Sequence, residues 1–257
     1  MPSNRSPLVL MYHGTPKHPP ISNYSIPAAQ FYRHLTYLKK NGWHTTSISD
    51  LLKSSNLPDK TVALTFDDGY ADNYENAFLP LLEKNMKATW FITTDCIGRH
   101  AKWMGQPSSQ TQMLTTGQLR EMSAAGMEIG SHTCSHPDLS TLSFQQQKQE
   151  LSKSQHVLED LLQTFVTGFA YPYGRYNEES LTAAKEVGYH WACSTRSGWL
   201  HKEQNPLLIR RVTIFAGDTT AVLARKLIFA DNDVGWKKMV AYYGTRLKGK
   251  CLKNLTT

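Results

Sequence analysis

The stretch Thr61-Val62-Ala63-Leu64-Thr65-Phe66-Asp67-Asp68-Gly69-Tyr70 decides the reading of the whole chain. Its first six residues are apolar or β-branched without a polar alternation, which suits a strand buried on both faces. Its last four break that run with two adjacent carboxylates and a glycine, the composition of a sharp turn. A second run of the same build lies downstream, where Glu128-Ile129-Gly130-Ser131 leads into His132-Thr133-Cys134-Ser135-His136-Pro137. Further β-like runs are Leu8–Tyr12, Ala88–Thr93, Val166–Tyr171, His190–Ser194 and Ile209–Phe215.

Helical stretches separate these runs. Phe31, Leu35 and Leu38 share one stripe that ends at Gly42. Thr115-Thr116-Gly117-Gln118 and Ser143-Phe144-Gln145-Gln146 read as capping boxes, the second opening the longest helix with Leu151, Leu158 and Leu162 on one face. Asn177 caps another helix, and Gly188 closes it. Alternating β and α elements predict an α/β fold with a parallel sheet, open or closed into a barrel, and place chemistry at the C-terminal ends of the strands. Residues 97–113 carry Gly, Pro and Ser without a clear period, so they read as a loop over that end.

A chain of 257 residues with 40% hydrophobic and 19% charged side chains has the composition of a globular domain. No apolar run approaches the ~20 residues of a membrane helix, which excludes a protein of bundled spanning helices. Cys96, Cys134, Cys193 and Cys251 lack C-x-x-C spacing, so a zinc knuckle, a thioredoxin-type site and a disulfide framework are disfavoured against buried free thiols. The net charge of +7 comes from dispersed residues, and no nucleic-acid partner is expected. Residues 1–230 read as one barrel domain, and 231–257 as a basic tail rather than a second domain. That tail reads first as a solvated end, and second as a segment contacting an anionic membrane. No signal peptide is legible at Met1, so the expected location is the cytoplasm, at the inner membrane face if the tail docks there.

Asp-Asp-Gly alone is a turn, and His-x-x-x-His alone is as often structural as not. Each at the end of a β-like run, they point to a shared site. One Asp and two His with an open position is the pattern of a catalytic divalent metal, zinc or a first-row neighbour. The remaining Asp is then free to deprotonate the water that such a metal activates, which implies hydrolysis of a carbonyl compound.

Thr65-Phe66-Asp67-Asp68-Gly69-Tyr70 together with Ser131-His132-Thr133-Cys134-Ser135-His136-Pro137 resembles the polysaccharide deacetylases, carbohydrate esterase family 4. The resemblance implies a distorted (β/α) barrel of about seven parallel strands and metal-dependent removal of acetyl groups from sugars. It implies Asp67 as general base and Asp68, His132 and His136 as ligands of a divalent metal, zinc first, with cobalt, nickel, iron or manganese as alternatives. Tyr171-Pro172-Tyr173-Gly174 matches a third motif, in which Tyr173 offers a backbone N–H to the oxyanion; taken alone, the tetrapeptide is a turn.

Two departures matter. Ala170 stands where the family usually has a base-orienting Arg, and no Leu-x-His follows Gly174. The chain is more similar to the circularly permuted branch that contains the poly-N-acetylglucosamine deacetylases. There the acid histidine comes first, and Leu10-Met11-Tyr12-His13-Gly14 fits its place, while Arg211 in Ile209-Arg210-Arg211-Val212 fits the missing arginine. A structural histidine and a surface or phosphate-binding arginine are the rival readings. Trp103 and Trp199 are candidates for stacking on sugar faces. The function so implied is N-deacetylation of an amino-sugar glycan or glycan precursor. The alternatives are a deformylase or cyclic-amide hydrolase on the same site, and a carbohydrate-binding relic without activity.

Overall fold

The computed structural model describes residues 6–18, 22–103, 111–201, 205–235 and 240. Cys251 and most of the basic tail lie outside the described residues. Eight strands are present among the described residues: β1 (Leu8–Tyr12), β2 (His44–Thr46), β3 (Thr61–Phe66), β4 (Thr89–Ile92), β5 (Glu128–Ser131), β6 (Gly168–Ala170), β7 (Trp191–Cys193) and β8 (Val212–Thr213). They form one parallel sheet in the order β7-β6-β5-β4-β3-β1-β8, with β2 paired to β3 beside that path. The sheet curls until one run of chain touches both edges. Ile209 bridges to Cys193 of β7, and three residues later Val212 and Thr213 pair with Leu10 and Met11 of β1. This is the distorted (β/α) barrel that the motifs imply.

Each strand sorts its side chains with period two. Leu8, Leu10, Tyr12, Val62, Leu64, Phe66, Trp90 and Ile92 face outward into the core shared with the helices. Val9, Ala63, Phe91, Ala170, Trp191, Cys193 and Ile209 face the lumen and fill its lower part. The outer face carries a stack of rings, with Tyr12 and Phe66 centred 5.4 Å apart and Phe66 and Trp90 4.7 Å apart. The lumen takes two large rings only because their neighbours are small. A Cβ on Gly168 would lie 2.1 Å from Trp191, and one on Gly130 would lie 2.8 Å from Phe91.

The helices cover the outside. α1 (Ala28–Lys40) buries Phe31, Leu35 and Leu38 completely, each such side chain contributing about 1.5–3 kcal/mol of transfer free energy. α2 (Ile48–Lys53) is capped by Ser47, and α3 (Leu79–Glu83) follows a π turn at Tyr74–Phe78. α4 (Thr116–Ala124) and α5 (Phe144–Leu162) both open on the expected reciprocal capping boxes. α6 (Glu178–Val187) starts at the Asn177 cap and stops at Gly188, whose φ of 100° suits a residue without a Cβ. α7 (Thr220–Phe229) is capped by Thr219. The chain stays on the barrel past it: Val234 is buried, and the Asn232 side chain accepts the Thr213 N–H at 2.7 Å. Cys96, Cys134 and Cys193 are free and buried, as their spacing leads one to expect.

Candidate active site

The strands deliver their motifs to one end of the lumen, around a cavity of about 540 Å³. Asp67 continues the inward parity of Ala63 and Thr65, so its carboxylate points into the barrel. Ile209, Arg211 and Thr213 keep the same parity on the closing run. Arg211 therefore enters the lumen opposite Asp67, 144 residues away in sequence, and grips it with two bonds: Nη1 donates to Oδ1 at 2.6 Å and Nη2 to Oδ2 at 2.8 Å. The guanidinium also donates from Nε to the Ser194 carbonyl and from Nη1 to Thr65 Oγ1, and lies 5.4 Å over the Phe91 ring. Arg211 is wholly buried, which removes the surface reading. Burial works to raise the Asp67 carboxyl, but the guanidinium outweighs it and holds the group below the ordinary carboxylate range.

Asp68 has the wrong parity for the lumen, and the backbone corrects it. Its φ of 74°, followed by 89° at Gly69, turns the side chain into the same cavity. Asp68 Oδ1 lies 3.4 Å from His132 Nε2 and 3.3 Å from His136 Nε2. Thr133, His136 and Tyr173 also carry positive φ, at 66°, 62° and 58°. Half of the eight non-glycine residues so strained among the described residues sit at this site, as expected where a site is over-determined by its surroundings.

Asp68, His132 and His136 are all buried, and their three ligand atoms lie within 4.8 Å of one another. His132 Nδ1–H donates to the Ala170 carbonyl at 2.8 Å, which fixes the tautomer that aims the Nε2 lone pair inward. His136 Nδ1 is buried without a hydrogen-bond partner among the described residues, and the His136 ring lies between Trp103, stacked at 4.4 Å, and Tyr173, edge-on at 4.6 Å. Burial works against ionisation of Asp68, yet the two imidazoles beside its Oδ1 hold it well below the ordinary range. Burial alone would lower both imidazoles; the neighbouring carboxylates reverse this at His132, which is raised, and not at His136, which is lowered. An anionic oxygen and two imidazole nitrogens converging on one point fit a divalent cation.

His13 follows β1 onto the wall of the same cavity, which Asp67 and Asp68 also line. Its Nδ1 is buried without a hydrogen-bond partner among the described residues. Its ring packs 5.2 Å from Tyr24, which packs 5.8 Å from Phe215. Tyr173 stands half-exposed across the cavity. Trp103 reaches the cavity; Trp199 instead packs against the outer core.

Sequence reasoning missed three supports. Asn73 Nδ2 donates to the His13 carbonyl and to Thr15 Oγ1, while Asp72 Oδ1 accepts the Thr15 N–H, so the loops after β1 and β3 are tied together. The Tyr70 hydroxyl bonds to Asp68. Asn232 lines the cavity from beyond α7. The signals were Tyr70, the last residue of the quoted Asp67-Asp68 motif, and Asp72-Asn73, a polar pair directly downstream of it.

A fold that closes around such a site defines a carbohydrate deacetylase, and the comparisons with known proteins agree. A family model for polysaccharide deacetylase matches residues 54–192, and the chain belongs to that family. It is 33% identical over 213 residues to YxkH of Bacillus subtilis (strain 168), whose name places it among polysaccharide deacetylases, covering 81% of this chain and 71% of that one. It is 28% identical over 210 residues to a poly-beta-1,6-N-acetyl-D-glucosamine N-deacetylase of Staphylococcus aureus (strain MSSA476), covering 76% and 69%. Among solved structures it resembles the Streptococcus pyogenes deacetylase PplD in complex with acetate, at a TM-score of 0.76 and 28% identity over 86% of this chain and 98% of that one.

Proposed function

We propose that this chain hydrolyses the N-acetyl groups of a glycan built from N-acetylglucosamine or a similar amino sugar, with a divalent metal, zinc first, held by Asp68, His132 and His136. One observation carries the reading: a buried carboxylate, gripped by an arginine, beside a three-donor group in a single cavity. When bound, the cation supplies Lewis acidity, which makes water a better nucleophile and the acetyl carbonyl a better electrophile.

The chain's own residues do the rest. Asp67, kept ionised and oriented by Arg211, takes the proton of the attacking water. The Tyr173 N–H faces the oxygen that becomes negative in the tetrahedral intermediate. As the C–N bond breaks, His13 gives a proton to the departing amine, which is a poor leaving group without one. The three similar proteins named for deacetylation, and the acetate bound in one of them, support this chemistry.

The test is acetate release from N-acetylglucosamine oligomers by chelated protein reloaded with zinc. Zinc-dependent acetate release is expected. No release, or release of formate from formamido sugars at a higher rate, would overturn the substrate assignment in favour of a deformylase.

A further inference from the structure

We infer that Glu150, on the second turn of α5, is the positioning residue of the metal centre, holding the loop between His132 and His136 in the shape that converges its two imidazoles. The inference rests on the metal reading above.

A loop with φ of 66° at Thr133 and 62° at His136 forms no helix or ladder of its own, so each N–H needs a specific acceptor. His132 N–H goes to the Ile92 carbonyl, Thr133 N–H to Ser131 Oγ and His136 N–H to Thr133 Oγ1. The two that remain, of Cys134 and Ser135, both go to Glu150 Oε2, at 2.9 and 3.0 Å, and the Ser135 hydroxyl donates to Oε1 at 2.8 Å. Among the described residues, Glu150 is the one acceptor for these two N–H groups that comes from another element. Its α5 is anchored in turn: Ser154 packs its hydroxyl 2.7 Å from Ser131 Oγ, the same oxygen that takes the Thr133 N–H. The loop's carbonyls are held by a further segment, Thr133 by the Thr94 N–H and Cys134 by the Asp95 N–H. Glu150 thus closes the last gap in a cage around two strained residues, one of them a ligand. A charged acceptor is the stronger partner for two convergent N–H donors.

The test compares Glu150→Ala and Glu150→Gln with Glu159→Gln. Glu159 sits on the same helix and accepts the Val166 N–H at 2.9 Å, a bond of the same kind far from the site. Cobalt and zinc affinities are measured by chelator competition, and the visible spectrum of the cobalt-loaded protein reports ligand geometry. Glu150→Ala is expected to weaken metal binding about 10–100-fold and to change the cobalt spectrum. Glu150→Gln, which keeps one acceptor oxygen, should recover part of both, and Glu159→Gln should leave both unchanged. Wild-type affinity and spectrum in Glu150→Gln and Glu150→Ala would overturn the inference, as would equal metal loss in Glu159→Gln. If Glu150→Ala does not fold, Glu150→Gln with native affinity and spectrum overturns it alone. A wild-type protein that binds neither metal would instead overturn the metal reading itself.

Discussion

Two cation–carboxylate pairs are buried among the described residues of this barrel, and they differ in what they face. Arg211 and Asp67 meet inside the lumen in a two-bond fork, with the carboxylate at the cavity surface. Lys226 and Asp218 meet outside it, between α7 and the end of β8, through one bond of 2.5 Å. There Lys226 also donates to the Thr213 carbonyl, Asp218 accepts the Phe215 N–H, and the ammonium lies 4.5 Å from the Phe215 ring. His34 Nε2–H donates to the Asp218 carbonyl, and burial pushes its pKa down to about 4, so a neutral imidazole backs the pair and accepts from the Tyr12 hydroxyl. The first pair leaves an anion where a reaction can use it. The second spends its charge on backbone and on the Phe215 ring, fixing the Phe215–Tyr24 wall against which His13 rests. A buried ion pair is therefore no sign of function by itself; the direction of its free lone pairs is.

The largest effect expected from breaking this contrast is on turnover. Asp67→Asn should keep its metal and lose roughly 10²–10⁴-fold in kcat, the worth of a general base, whereas Asp218→Asn should lose stability and less than about tenfold in kcat. Metal content and steady-state kinetics on both variants check this; metal loss in Asp67→Asn would exchange the roles of the two aspartates.

His13→Ala tests the wall that the second pair supports. It should cut turnover of N-acetyl substrates by roughly 10²-fold or more, and of an activated acetate ester much less, because that leaving group needs no proton. Equal losses on the two substrates would remove His13 from the acid role.

The third effect is on stability and should be shared. Arg211→Met and Lys226→Met each leave a buried carboxylate unpaired, at a cost of about 3–5 kcal/mol by urea unfolding. Only Arg211→Met should also suppress the kcat of the protein that remains folded.

The smallest effect is a displacement in pH. Because Asp67 is depressed in the folded state, the stability it contributes is present above the ordinary carboxylate range and is lost as pH falls through its lower, folded value. Arg211→Lys removes the fork, so the acid limb of the rate profile should move to higher pH. An unmoved limb would mean that another group sets it.

Much of this molecule was legible in one dimension. Seven β-like runs became strands, because a strand buried on both faces must be apolar throughout. Two capping boxes formed as written, because their bonds span only three residues. The two short motifs each brought their side chains to one cavity, since strand ends in a parallel sheet share a rim. What escaped had no local signature. β2 is three residues long and exists through its pairing with β3. In α7, the run Ala221-Val222-Leu223-Ala224 and Leu227-Ile228 has no clear polar face from which to read a period.

The sequence by itself determined the place of most strands, the caps of the helices and the ligand-bearing motifs, all of which depend on neighbours a few residues apart. Only the tertiary structure decided that Arg211 grips Asp67 and that His13 shares their cavity. Asp67 stands 144 positions from Arg211 and 54 from His13, and the three come together because the sheet curls until its last run of chain touches both its edges.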